Sequence, residues 1–445
     1  MARTKIFSIR IIPNLIFYSL GLIIILFFNL TASAEIYSFS IGHVPPLEDG
    51  HTYLLVTDLN GQGPSIEVAF FDEYGRNISS IRKLLPPNGK LQFEVDNYLR
   101  NSPGSIVLKS SSPNISGEYW QFQGNGSVFM LPLQTPVEEG RYFVNCFRFL
   151  DSDSCLLVLS DPFGSGPAVQ MEFYSKSGEL LRVVPKMLRP HGILILKVDD
   201  YIPWEMLGKV SIRNFRGSVI PYYRQSWDTE GLVFAFPARM PSRELFIDMF
   251  SANTDTESRL IITDTNAEGP AVRISFLGND GSYRLEKLLP INGTALIDPA
   301  DYIRNAKNGI IHISGTSRII ADYLEKGPEG ILGIPAVGGN KDFLFISHFT
   351  PLKNSQDFLS LLNTGQESVA LELFFFNDEG KKLGVRQLQL DPYERKDELM
   401  KSYFEGSNLG TVVIRGANGN IVASSYIRDT KTGQLLGKGH AQFIR

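Results

Sequence analysis

The stretch Val68-Ala-Phe-Phe-Asp-Glu-Tyr-Gly75 comes back as Met171-Glu-Phe-Tyr-Ser-Lys-Ser-Gly178, Ile274-Ser-Phe-Leu-Gly-Asn-Asp-Gly281 and Leu373-Phe-Phe-Phe-Asn-Asp-Glu-Gly380, at intervals of 103, 103 and 99 residues. Each copy is an apolar run closed by polar residues and a glycine, as expected of a strand entering a hairpin turn that needs positive φ. Other landmarks recur at steps of 100 to 104 residues: Gly63-Pro64, Gly166-Pro167 and Gly269-Pro270; Gly89, Gly192 and Gly293; Tyr98, Tyr201, Tyr302 and Tyr403; Gly104, Gly208, Gly309 and Gly410; Tyr119, Tyr223, Tyr323 and Tyr426. A period that carries its neighbours along marks a tandem array. About 100 residues per copy suffice for a self-contained core.

Inside each copy the apolar pattern has period two. In the first, Tyr53-Leu-Leu-Val-Thr57, Ile66-Glu-Val-Ala-Phe70, Leu91-Gln-Phe-Glu-Val95, Ser105-Ile-Val-Leu-Lys109 and Ser127-Val-Phe-Met-Leu131 are short β-rich runs separated by turn residues. The helical crossovers of a parallel sheet have no room. The chain is therefore predicted to be all-β, with four tandem antiparallel β-sandwich domains, immunoglobulin-like or jelly-roll-like, over residues 35–137, 138–240, 241–337 and 338–445. The joints are short and follow Leu131-Pro132, Phe236-Pro237 and Ile334-Pro335. Set end to end, four such globules would reach on the order of 140 Å.

The N-terminus reads as an address. Arg3, Lys5 and Arg10 precede an apolar stretch from Leu15 to Phe28, and Thr31-Ala-Ser-Ala34 supplies the small residues of a signal-peptidase site. Residues 1–34 are expected to be a signal peptide, the alternative being an uncleaved anchor. The mature chain is then exported, to the periplasm, the cell surface or the medium, with no later membrane span. Losing those three basic side chains moves the formal charge from −4 to −7, which gives no support for nucleic-acid binding.

Cys146 and Cys155 occur in the second copy alone. In an exported protein they suggest a disulfide across adjacent antiparallel strands; the other reading is two reduced, buried thiols. Asp58, Asp161 and Asp264 precede the Gly-Pro pairs and suit Asx-type turns. A calcium site would need more carboxylates than each loop offers. Tyr98 and its equivalents suit corners tied back to the backbone. Tyr119, Trp120, Tyr222, Tyr223 and Trp227 suggest an aromatic platform for a sugar ring, although aromatics also fill sandwich cores.

Catalytic patterns are missing from the sequence. His43, His51, His191, His312, His348 and His440 are scattered, and no zinc-peptidase, nucleophile-elbow or phosphate-loop motif occurs. No catalytic, metal or cofactor residue is nominated.

The fourth copy carries Phe345-Ile-Ser-His-Phe349, Leu359-Ser-Leu-Leu-Asn363, Phe374-Phe-Phe-Asn-Asp-Glu-Gly380 and Gly410-Thr-Val-Val-Ile-Arg415. In these it resembles the roughly hundred-residue β-sandwich repeats of secreted bacterial proteins without an assigned activity. The resemblance implies export and tandem sandwiches and transfers no functional residue. The sequence thus leads to a non-enzymatic scaffold or adhesin-like protein whose partner is a protein or glycan of the cell envelope. The alternatives are a carbohydrate-binding protein and an accessory module of an extracellular enzyme.

Overall fold

Alternation along each strand builds the sheets, and burial of some strands on both faces decides how the sheets stack. The computed structural model describes residues 36–45, 50–99, 102–123, 128–135, 140–148, 154–202, 207–227, 232–252, 257–278, 281–303, 306–327, 330–338, 344–349, 355–404, 407, 409–416, 420–431, 435–440 and 442–443. The expected signal peptide lies outside them. Unit 1 consists of β1 (Tyr37–Val44), β2 (Gly50–Asp58), β3 (Ser65–Asp72), β4 (Asn77–Leu84), β5 (Lys90–Glu94), β6 (Gly104–Ser110), β7 (Ile115–Gln123) and β8 (Val128–Pro132). They form two antiparallel sheets, ordered β1-β6-β3-β4 and β5-β2-β7-β8. Val68 and Phe70 of β3 face inward, where they meet Leu54, Val56, Ile106 and Leu108.

Unit 2 repeats both orders. Unit 4 does too, with Gln442–Phe443 added beside Leu344–Phe349. Unit 3 differs because its equivalents of β6 and β7 are one strand of 22 residues, Ala306–Gly327, which joins both sheets. The strand passes Gly315, where a Cβ would stand 2.8 Å from the Ser317 carbonyl, so only glycine fits the bend. The fold is all-β sandwich, as predicted.

The recurrent landmarks now have physical roles. Asp58 accepts hydrogen bonds from the amides of Asn60, Gly63 and Asn88, and Asp264 from those of Asn266, Gly269 and Asn292. Gly63, Gly166 and Gly269 follow at φ near +60°, and the carboxylate thus ties two loops together. Tyr98, Tyr201, Tyr302 and Tyr403 stack on Phe70, Phe173, Phe276 and Phe375 at 4.3, 4.5, 5.9 and 4.1 Å. Their rings, rather than a hydroxyl tied to the backbone, fix the corner. One equivalence fails. Leu54, Leu157 and Leu260 pair with Tyr119, Tyr223 and Tyr323, whereas Leu359 pairs with Ser425, and Tyr426 is one residue out of register. A one-residue offset reverses the face. Tyr426 therefore packs outward into the core of unit 3.

The sequence leaves the arrangement of the four units open, and they do not lie in line. They close into a ring. The sheet containing β3 in each unit packs on the β2–β7 sheet of the next; in unit 1 the outer-face residues Ala69 and Phe71 of β3 are buried as well as the inner ones, and Phe71 stacks on His191 of unit 2. Val158, Ile220 and Tyr222 of unit 2 complete the core of unit 1. Ile261 and Leu324 of unit 3 join the core of unit 2. Phe246 and Ile310 of unit 3 meet Leu362 and Val422 of unit 4. Phe349 and Ile427 of unit 4 cluster with Leu55, Trp120 and Phe122 of unit 1, which completes the circle. The four strands equivalent to β8 (Val128–Pro132, Leu232–Pro237, Gly330–Pro335 and Leu435–His440) lie side by side around the axis. An end-to-end rod would have left these outer faces in water.

Candidate functional site

Several buried polar side chains lie at the seams of the ring, among them Lys90, Lys209, Asp248 and Asp322. Each seam begins with backbone. The hairpin after β3 carries its glycine at φ between +81° and +87° in units 1, 2 and 4. That glycine sits against the turn preceding the next unit's β5 equivalent: a Cβ on Gly75 would lie 2.1 Å from the Pro190 carbonyl, on Gly178 1.8 Å from that of Ile291, and on Gly380 1.8 Å from that of Pro87. The amides of Ile193, Thr294 and Lys90 donate to the carbonyls of Glu73, Lys176 and Asp378 at 3.1, 2.9 and 2.7 Å. The glycine therefore serves the turn and the docking of its unit on the next. The hairpin tip of unit 3, residues 279–280, lies outside the described residues.

Side chains then make each seam different. Between units 2 and 3, Asp322 is fully buried and takes hydrogen bonds from Arg239 and, at 2.8 Å, from Asn145. Burial holds the Asp322 carboxyl above its ordinary range, and the Arg239 guanidinium only partly opposes this. In the same seam Lys209 Nζ donates to the Asp264 carbonyl at 2.6 Å. Between units 3 and 4, Ser424 donates to Asp248 at 2.5 Å. Where unit 4 meets unit 1, Lys90 Nζ donates to the Gly410 carbonyl at 2.5 Å, while His348 and Asp357 form a buried pair beneath Phe404. The β1-strand position carries Gly42, Asn145 and Asp248 in turn, and each meets different chemistry on its neighbour.

Two buried lysines give the seams a pH dependence. Burial pushes Lys90 down to about 8 against the pull of Glu118, Asp357 and Asp378, and Lys209 down to about 8 against that of Asp264. In both, the folded value lies below that of the unfolded chain, so the folded state is penalised wherever the amine is charged. That penalty is complete below about pH 8 and fades toward pH 10.5, the ordinary lysine value. Stability against urea is therefore expected to rise between pH 7 and 9.5, and Lys90→Met should remove its share of the rise. Equal urea midpoints at the two pH values would contradict this reading.

The residues singled out from the sequence are not brought together into one site. Tyr119, Trp120, Tyr222 and Tyr223 are 0–2% exposed and cannot stack on a sugar. They fill cores and seams: Tyr222 packs into unit 1, Trp120 lies 5.3 Å from Phe349 of unit 4, and Tyr223 donates to the Phe147 carbonyl. The side chain of Trp227 lies outside the described residues. Cys146 and Cys155 are buried in the core of unit 2 and are not joined by a disulfide. Their strands, Gly140–Phe147 and Ser154–Ser160, belong to opposite sheets and do not pair as adjacent antiparallel strands, which corrects the expected geometry. The same two positions in unit 4, by the 103- and 99-residue steps, hold the hydrogen-bonded His348 and Asp357. Burial raises the Cys146 thiol well above its ordinary value, with Cys155 adding to the shift. The Cys146 sulfur is thereby held as a protonated thiol. Among the described residues no group of three or more His, Cys, Asp or Glu is placed to hold a metal ion. No helix among them is long and apolar enough to cross a membrane.

The sequence reading missed the seams. Their signal was present, because β3 and its equivalents read as unbroken apolar runs such as Val68-Ala-Phe-Phe, the mark of a strand buried on both faces.

No family model matches the chain, and no curated protein does. Among solved structures, a β-glucuronidase of Bacteroides uniformis shares 11% identity over 51% of this chain and 26% of its own, at a TM-score of 0.11. An α-L-rhamnosidase of Streptomyces avermitilis shares 7% over 92% and 57%, at 0.16. A Salmonella alpha-2-macroglobulin variant shares 9% over 91% and 39%, at 0.15. The chain thus spans between a quarter and three-fifths of these proteins' lengths. Likeness at this level carries no argument about activity.

Proposed function

We propose that the chain is a non-enzymatic, exported scaffold: a closed ring of four sandwiches that presents its outer strands and loop ends to the cell envelope. The observation that carries this reading is where the chemically capable side chains go. Asp322, Arg239, Lys90, Lys209, His348 and Asp357 are spent in seams or cores, where they hold one unit against the next or fix a fold. Catalytic groups need access to a substrate. Export is supported by the basic, apolar and small-residue order of residues 1–34.

The carbohydrate reading loses four of the five residues nominated for its platform, which are buried. An accessory role beside an extracellular enzyme remains compatible with a ring of this kind. The test is a turnover screen of the purified protein on polysaccharides, glycosides and peptides, run beside a glycan array. Blank results on the screen are expected; sustained turnover abolished by one substitution would overturn the proposal. Array binding would move the reading to the carbohydrate class.

A further inference from the structure

One cross-strand row on the outer face of the β3 sheet can be followed through all four units. In unit 1 it runs Ser38, Lys109, Glu67, Arg82 across β1, β6, β3 and β4. In unit 3 it runs Glu244, Ser314, Arg273, Glu286, and in unit 4 Arg415, Glu372, Gln387. Side chains directly opposite each other share a face with their Cβ atoms about 5 Å apart, so each of these rows sets a cation against a carboxylate. The row of unit 2 does not. It runs Arg141, Arg213, Gln170, Pro185, two cations side by side with no carboxylate. Glu172, from the next row on the same face, takes Arg141 in an ion pair at 2.5 Å. Arg213 takes part in no ion pair among the described residues; its guanidinium lies 4.9 Å from the ring of Phe215.

Like charges directly opposite each other destabilise a sheet, and the other three units make the same strand pairings with opposite charges in the row. The sandwich therefore does not need this pair of arginines. A groove of about 580 Å³ opens over them, lined by Gly140, Arg141, Glu172, Arg213, Asn214 and Phe215. That volume falls in the range of small-ligand sites. Two guanidiniums against one carboxylate leave one positive charge unmatched, so a fitting ligand brings one anionic group. Phe215 is 47% exposed and sets a flat apolar surface beside that charge. Burial works to raise the Glu172 carboxyl, but hydrogen bonds from Tyr174 and Arg141 hold it below its ordinary range, so it stays ionised. It accepts from hydroxyl groups and repels a second negative charge.

We propose that this groove of unit 2 binds a uronate, a sugar ring carrying a carboxylate, within an acidic polysaccharide. The carboxylate pairs with Arg213 and Arg141, the apolar face of the ring lies on Phe215, and ring hydroxyls donate to Glu172. A phosphate dianion fits less well, because its second charge meets Glu172. The carboxylate of an acidic peptide side chain satisfies Arg213 but brings no hydroxyls to Glu172. The inference rests on the scaffold reading, whose envelope partner it narrows to an acidic glycan. Binding and turnover are separate measurements, so a groove that binds nothing would leave the scaffold reading standing.

The test is titration calorimetry of the purified full chain with tetragalacturonate, with the same saccharide methyl-esterified at its carboxyl groups, and with N-acetylglutamate. Tetragalacturonate should bind, and its methyl ester should bind about tenfold more weakly or worse, the loss expected when a charged hydrogen-bond partner is removed. Arg213→Gln should weaken binding of the acid by about tenfold or more, and Phe215→Ala by about fivefold. Both side chains are exposed, so the circular dichroism of these variants should match the parent's. Lys109→Gln, at the equivalent place in unit 1, should leave binding as it is. No binding of tetragalacturonate, equal binding of its ester, or an Arg213→Gln variant that binds as the parent does would overturn the proposal. A loss shared by Lys109→Gln would overturn it too, and so would N-acetylglutamate binding as tightly as the saccharide, since the groove would then read a carboxylate alone.

Discussion

Gly380→Val is expected to open the ring at the junction of units 4 and 1. A Cβ there would stand 1.8 Å from the Pro87 carbonyl, a backbone atom that cannot swing aside, and the residue holds φ +81°. Overpacking costs about 1–3 kcal/mol, and a β-branched residue in the left-handed region adds strain of about 1–3 kcal/mol. The adjoining bonds, from the Lys90 amide to Asp378 and from Lys90 Nζ to Gly410, should go with it. This is the one seam that no peptide linkage spans. Hydrogen exchange at Lys90 should accelerate by orders of magnitude while the inner strands of units 2 and 3 stay protected. Gly384→Val is the control, because a Cβ there meets nothing within 4 Å. Equal protection of Lys90 in the parent and Gly380→Val would show that the docking carries little energy.

The sandwich was legible in the sequence and the ring was not. Period-two alternation around Tyr53–Thr57 and the turn at Gly75 specify strands and a hairpin, because both are local consequences of side-chain direction and backbone freedom. The Gly-Pro loops were read correctly for the same reason: an aspartate capping nearby amides is a short-range interaction. Seams are made by residues far apart in the chain, such as Lys90 with Gly410 and Asn145 with Asp322. No spacing rule announces such partners. Ala69 and Phe71 did carry the missing information, since a strand apolar on both faces needs a second layer to cover it. The aromatic residues misled for a related reason. Trp120 and Tyr222 look like a platform beside a strand, and they are the apolar matter with which one unit seals against the next.

The second large effect concerns the buried pair between units 2 and 3. Asp322→Ala should lower stability by about 3–5 kcal/mol, the usual cost of leaving one partner of a buried ion pair alone. Here the stranded group is Arg239, which also donates to the carbonyls of Ala321 and Ala336 at 3.0 and 3.1 Å. Replacing both partners by apolar residues of similar volume, Arg239→Met with Asp322→Leu, should recover most of the loss, because burial alone already opposes the Asp322 charge. Urea unfolding of the parent, the single variant and the double variant measures this. If the double variant is no more stable than the single one, the pair is worth more than its desolvation cost.

The central claim is that the four units form one closed ring. Small-angle scattering of the purified chain without residues 1–34 tests it most directly. A closed ring of this length predicts a radius of gyration of about 22–25 Å and a single compact maximum in the distance distribution. Four units in line, about 140 Å long, would give about 40 Å and an extended tail, and that result would contradict the account.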